Sequence, residues 1–227
     1  IVTYYNRKVR DSKPGGYGKI SLARGFELSS NTVLVQSVVN SYKDNPKQFV
    51  DRINSYGLNK PLGLPIEGEG KPYIPQPGTS GWSGTTLPWM AFGYNVSITP
   101  LQTLTLYNAV ANNGIMVKPI FVSEIKEWNK TIKNYNTQVI NPKICSQETL
   151  DKVHAVLENV VKKGTGSKLY SKDFSMAGKT GTAQVNYKDK SKLYYASSFV
   201  GYFPAVEPKY SCIVIVHKPN VATGYYG

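Results

Sequence analysis

Met176-Ala177-Gly178-Lys179-Thr180-Gly181-Thr182-Ala183-Gln184-Val185 is a run of mostly small residues with one lysine and one threonine between two glycines and a second threonine just after them. It reads as a strand, and small side chains leave a strand edge open to a peptide backbone lying flat along it. Lys179 then supplies a fixed cation, and the Thr180 hydroxyl can hold a carboxylate. Residues 197–203 and 211–217 have the β-rich composition of two further strands, with 204–209 turning between them. Sequential strands joined by short connections pair antiparallel. The last third of the chain therefore reads as an antiparallel sheet.

Upstream, the periodicity changes to that of helices. Thr99 is placed as an N-cap, with Pro100 at the first helical position and Gln102 completing a capping box; Leu101, Leu104, Leu106, Ala109 and Val110 follow, and Gly114 comes after the end. A second amphipathic helix runs from 146 to about 161 with Leu150, Val153, Leu157 and Val160 on one face, closed by Gly164-Thr165-Gly166. Ser21 caps a short helix that reaches Glu27 and halts at Ser29-Ser30-Asn31. Leu34, Val35, Val38 and Val39 then recur at helical spacing, which puts Ser29 and Asn31 at a junction of two helices. Residues 11–18 form a polar, glycine-rich turn. Residues 61–88 hold too many prolines and glycines for regular structure, and are either a functional loop or a packed surface excursion. Residues 117–127 and 131–140 read as strands of a small β excursion. The fold class is α/β, helices followed by a mainly antiparallel sheet.

The 227 residues suit one large domain or two small ones, and 41% hydrophobic with 18% charged residues excludes a disordered tail, a collagen-like repeat and a membrane bundle. No stretch approaches the roughly 20 apolar residues of a membrane span. The formal charge of +13 favours anionic partners. Lysines and arginines are spread along the chain without a nucleic-acid-binding motif, so no nucleic acid is expected among the partners. Cys145 and Cys212 allow at most one disulfide. Cys212 and His217 lie at an odd spacing that sends them to opposite faces of a strand, which argues against a metal site. His154 sits beside an apolar helix stripe and reads as structural.

Ser29-x-Asn31 taken alone fits a helix cap as well as a catalytic turn. Together with Lys179-Thr180-Gly181-Thr182, however, it resembles the transpeptidase domain of the class B penicillin-binding proteins, particularly the division-type enzymes. Two further elements carry the resemblance. Gly93-Tyr94-Asn95-Val96-Ser97-Ile98-Thr99-Pro100-Leu101-Gln102 with Ala111-Asn112-Asn113-Gly114 is similar to one helix motif of that family. Val160-Val161 with Gly164-Thr165-Gly166 is similar to the element preceding its K-T-G strand.

The resemblance implies a penicillin-binding-protein/β-lactamase-like transpeptidase fold and a serine acyl-enzyme mechanism on D-Ala-D-Ala stem peptides of peptidoglycan, inhibited by β-lactams. By implication, Ser29 relays a proton to the leaving group and Asn31 bonds the substrate amide and the nucleophile's lysine. Lys179 sets the positive field, Thr180 and Thr182 grip the terminal carboxylate, Gly181 keeps the strand edge clear, and the Thr182 N–H forms half of an oxyanion hole. No cofactor or metal is implied. The implied setting is the extracytoplasmic face of the cell envelope, with a membrane anchor and glycosyltransferase or divisome partners elsewhere in the protein. The family's S-x-x-K nucleophile motif has no match before Ser29. Ser123-Glu124-Ile125-Lys126 has that spacing but lies in an extended segment, where residues i and i+3 point to opposite faces. The chain is therefore expected to be the C-terminal majority (1–227) of a transpeptidase domain, inactive by itself, incomplete at both ends. Two sheet strands and the nucleophile helix are expected upstream, and a last helix after Tyr225-Tyr226-Gly227. A carboxypeptidase or β-lactamase-like hydrolase shares this machinery, and a non-catalytic binding or scaffold fragment is the alternative from another class.

Overall fold

The computed structural model describes residues 1–186, 189–220, 222 and 224. The expected end at Tyr225-Tyr226-Gly227 lies outside the described residues. Along the chain come strands β1 (Val2–Tyr4) and β2 (Arg7–Val9), and helices α1 (Leu22–Glu27), α2 (Asn31–Tyr42), α3 (Pro46–Ser55), α4 (Thr86–Met90) and α5 (Pro100–Ala111). Short strands β3 (Met116–Val117), β4 (Glu124–Glu127), β5 (Lys130–Asn134) and β6 (Val139–Asn141) follow, then helix α6 (Gln147–Lys163) and strands β7 (Ala177–Val185), β8 (Tyr194–Phe203) and β9 (Tyr210–His217).

The capping box of α5 forms as its local sequence requires. Thr99 Oγ1 accepts from Gln102 N at 3.1 Å and Gln102 Oε1 from Thr99 N at 2.9 Å. The Gln102 side chain is fully buried and also donates to Lys60 O at 2.8 Å, which pins the start of the proline-rich loop to this helix. Ser146 caps α6 by accepting from Thr149 N.

The sheet is antiparallel in the order β7-β8-β9, so β7 is an edge strand. Gly178 and Gly201 face each other across β7 and β8, and a Cβ on Gly201 would lie 2.3 Å from Ala177 O, so the two strands close only without side chains there. Leu150 and Leu157 of α6, Ala109 and Val110 of α5, and Ala177 and Tyr202 of the sheet form one buried cluster. Each fully buried leucine there contributes about 2 kcal/mol. His154 fits the structural reading: its Nδ1 meets the buried Tyr202 OH at 2.6 Å, and burial pushes its pKa below the ordinary histidine value. A second cluster, Val50, Leu58, Ile74 and Met90, packs α3 and α4 together.

Four elements differ from the sequence reading. The β1–β2 hairpin turns at Tyr5 and Asn6, a two-residue turn with Tyr5 at φ 55°. Asn45-Pro46 opens α3 from within a polar stretch, with the proline at the first helical position. Helix α4 enters the end of the proline-rich segment, which the composition had excluded from regular structure, because Pro88 falls in the first turn, where its missing N–H costs nothing. The β excursion is two nested hairpins, β3 with β6 and β4 with β5. Cys145 and Cys212 are both free thiols.

Candidate active site

The turn between α1 and α2 is built by a helix-terminating geometry. Ser30 N donates to Gly25 O at 2.8 Å and Ser29 N to Phe26 O at 3.1 Å, with Ser29 at φ 51°. This is a Schellman motif, and Ser29 occupies the left-handed position that glycine normally takes. A non-glycine residue there costs on the order of 1 kcal/mol. Ser30 next caps α2, its Oγ accepting from Val33 N at 3.2 Å. Two opposed helix ends thus hold Ser29 in a strained conformation with its side chain presented outward.

What it meets is Lys179, 150 residues away in sequence. The Lys179 ammonium donates to Ser29 Oγ and, at 3.0 Å, to Thr180 O, and it lies 5.8 Å from the centre of the Phe26 ring. Burial pushes its pKa down from 10.5 to about 8. Ser29, Asn31, Lys179, Thr180, Gly181 and Thr182 all line one cleft of about 1170 Å³. The Asn31 side chain donates to Arg10 O at 3.1 Å. Thr180 Oγ1 lies 2.6 Å from Thr165 Oγ1. A Cβ on Gly181 would meet Ser198 Oγ at 2.6 Å.

Gln184 N donates to Tyr94 OH at 3.3 Å, outward from the β7 edge. In an antiparallel ladder such outward groups recur at every second residue. The Thr180 carbonyl and the Thr182 N–H therefore also face away from β8, toward the cleft.

Several cleft residues escaped the sequence reading. Trp89, Phe92 and Tyr94 form an aromatic wall, and Lys8, Arg10, Lys13 and Tyr17 come from the N-terminal hairpin and the turn after it. Asp11 Oδ1 accepts from Ser30 Oγ and Thr32 N, both at 3.0 Å, and its Oδ2 accepts from Thr32 Oγ1 at 2.7 Å, a carboxylate set against the positive end of α2. Glu27 is buried, paired with Arg24 at 2.8 Å, while its backbone O accepts Thr165 N–H at 3.1 Å. That bond links the Ser29 turn through Thr165 to Thr180. Alternation around Tyr5-Asn6 was the available signal for the hairpin; nothing local signals Asp11 or Thr165. Ser123 stands just before β4, and Lys126 on that exposed strand pairs with Glu124 at 2.7 Å; neither lines the cleft. Among the described residues no cluster of three His, Cys, Asp or Glu side chains could hold a metal.

Helices packed on an antiparallel sheet, with a serine turn from the helical side meeting a lysine on the sheet's edge strand, define an α/β fold of the penicillin-binding-protein and β-lactamase class. Penicillin binding protein 3 of Mycobacterium tuberculosis, solved in complex with aztreonam, superposes with a TM-score of 0.79 at 26% identity, over 93% of this chain and 48% of that one. Residues 2–227 match the penicillin binding protein transpeptidase domain, and the chain belongs to that family. Stage V sporulation protein D of Bacillus subtilis is 29% identical over 94% of this chain and 32% of its own length. Peptidoglycan D,D-transpeptidase FtsI of Buchnera aphidicola (subsp. Baizongia pistaciae) is 28% identical over 79% and 30% respectively. The chain thus spans about a third of the length of these curated relatives.

Proposed function

We propose that residues 1–227 are the C-terminal majority of the transpeptidase domain of a division-type peptidoglycan D,D-transpeptidase, which cross-links stem peptides through a serine acyl-enzyme. The observation that carries this is the contact of the Ser29 hydroxyl with the buried Lys179 ammonium at the open edge of β7. Membership of the transpeptidase family and the names of the relatives support it.

In this reading a serine outside residues 1–227 attacks the carbonyl of the D-Ala-D-Ala bond. The C–N bond breaks, and D-alanine leaves with a proton relayed by Ser29. An amine of a second strand then attacks the ester, forming the cross-link and freeing the serine. Lys179, its pKa brought to about 8, remains mostly charged at neutral pH and holds the field that favours both the donated proton and the substrate carboxylate. Thr180 and Thr182 take that carboxylate, Thr165 orients the Thr180 hydroxyl, Asn31 bonds the substrate amide, and Gly181 leaves the strand edge accessible. The outward Thr182 N–H stabilises the tetrahedral oxyanion. β-Lactams acylate the same serine; the aztreonam complex of the Mycobacterium relative supports this ligand class. The domain works on the extracytoplasmic face of the envelope, anchored by another part of the protein, beside glycosyltransferase and divisome partners.

Fluorescent penicillin tests the proposal. The full-length protein is expected to label covalently and residues 1–227 alone to remain unlabelled. Lys179→Ala is expected to lower labelling of the full-length protein at least 100-fold with its circular dichroism unchanged. Labelling of the short chain at Ser123, or full labelling of Lys179→Ala, refutes it.

A further inference from the structure

Glu27 is a buried carboxylate that the transpeptidase reading leaves without a role. It ends α1, two residues before Ser29, and is 3% exposed. Burial and the negative pole of a helix C-terminus both oppose a carboxylate there. Two cations offset them. Arg24 Nη1 stands 2.8 Å from Glu27 Oε2, and Lys163 Nζ, from the last residue of α6, 3.8 Å from Glu27 Oε1. Arg24 Nη1 also donates to Lys163 O at 3.0 Å, one of the end carbonyls that α6 cannot satisfy within itself. One guanidinium thus serves the ends of two helices, and the carboxylate fixes where it stands. The backbone beside this ion group leads into the site. Thr165 N donates to Glu27 O at 3.1 Å, and a Cβ on Gly164 would lie 2.3 Å from the same oxygen, so the end of α6 sits directly against the end of α1. Thr165 Oγ1 then meets Thr180 Oγ1 at 2.6 Å. Replacing a buried ion pair by apolar groups is often neutral for stability, so the use of charge here points to arrangement.

We propose that Glu27 is a positioning residue: through Arg24 and Lys163 it clamps the end of α6 onto the Ser29 turn, and so holds Thr165 where it orients the Thr180 hydroxyl toward the substrate carboxylate. This rests on the transpeptidase reading and adds to it a residue that touches neither the substrate nor the attacking serine. Without the carboxylate, Arg24 loses the anchor for its bond to Lys163 O, and a displacement of about 1 Å at Thr165 turns the Thr180 hydroxyl out of line. The clamp therefore acts on the grip of the carboxylate and leaves the attack on the carbonyl to other groups.

The test follows acylation of the full-length protein by a fluorescent penicillin and by its methyl ester, which keeps the lactam but not the free carboxylate that Thr180 receives. The wild-type protein is expected to react faster with the acid. Glu27→Gln, which keeps the shape and removes the charge, is expected to lower the acid rate about tenfold and to leave the ester rate within about twofold. Arg24→Gln, a change at a partly exposed side chain, is expected to do the same, which keeps the test available should Glu27→Gln not fold. In a Thr165→Val background, where the bond to Thr180 is already absent, Glu27→Gln is expected to have no further effect on the acid rate. A residue that merely stabilises the fold would lower both rates together and add to the effect of Thr165→Val. Either of those results overturns the proposal, as does an unchanged acid rate in Glu27→Gln and Arg24→Gln. A wild-type protein that reacts with neither compound overturns the transpeptidase reading itself, and the clamp falls with it.

Discussion

Replacing Lys179 by methionine should stabilise the fold at neutral pH, because the native structure charges this lysine at a cost. Its pKa falls from 10.5 to about 8, and the cause is burial between the Phe26 ring and the β7 edge. Between these two values the unfolded chain holds more protons than the folded one, so unfolding free energy rises with pH across that window and the penalty is fully present below about pH 8. The gap corresponds to at most about 3 kcal/mol, and its bonds to Ser29 and Thr180 O, which are lost in the variant, leave a net gain of about 1–2 kcal/mol for Lys179→Met. For a chain of this size that is a rise in Tm of roughly 2–8 °C at pH 7. The measurement is urea unfolding of both proteins from pH 6.5 to 10.5, read as a difference so that groups common to both cancel. The stability gap should favour the variant at pH 7 and then close with rising pH, the wild type becoming the more stable near pH 10.5 as its bonds outlast its charge penalty. A flat difference curve, or a variant that is less stable at pH 7, refutes the claim that burial of the charge governs this site.

Ser29→Gly should be more stable than Ser29→Ala by about 1 kcal/mol, since both lack the hydroxyl but only alanine pays for φ 51°; equal stabilities by thermal unfolding would show that the turn relaxes. Gly164→Ala should cost more than about 2 kcal/mol, because its Cβ would stand 2.3 Å from Glu27 O and 2.8 Å from Val160 Cα, both backbone, whereas Gly166→Ala, with its nearest contact at 3.3 Å, should cost less than about 1 kcal/mol. Calorimetry that ranks the two the other way would contradict the tight seat of the Gly164-Thr165-Gly166 turn under Glu27. Burial keeps His154 neutral in the fold, so its contribution is present above the ordinary histidine value of 6.5 and is lost as pH falls toward its lowered pKa. His154→Phe should flatten that acid limb of the stability curve, and an unchanged limb would assign it to other groups.

The readable parts of this protein are those whose causes lie within a few residues. The α5 capping box needs only Thr99, Pro100 and Gln102, and α6 needs one apolar stripe and a serine cap. Strands β7 to β9 show themselves by alternation and by the short turn between β8 and β9. The resemblance to the transpeptidase family marked Ser29, Asn31 and the Lys179-to-Thr182 strand as residues of one site. The fold then placed all six on one cleft.

Tertiary structure decided what those residues do to one another. No local pattern announces that a serine will take the left-handed position of a Schellman turn, because that position selects for glycine; the end of α1 and the start of α2 together hold Ser29 there. The lowered pKa of Lys179 comes from burial against an aromatic ring brought in from α1, a property of neither segment alone. The link from Glu27 through Thr165 to Thr180 and the Asp11 brace on α2 join segments separated in the chain. Residue types and local periods determine which elements form; which side chains share water, charge and hydrogen bonds is settled only when those elements pack.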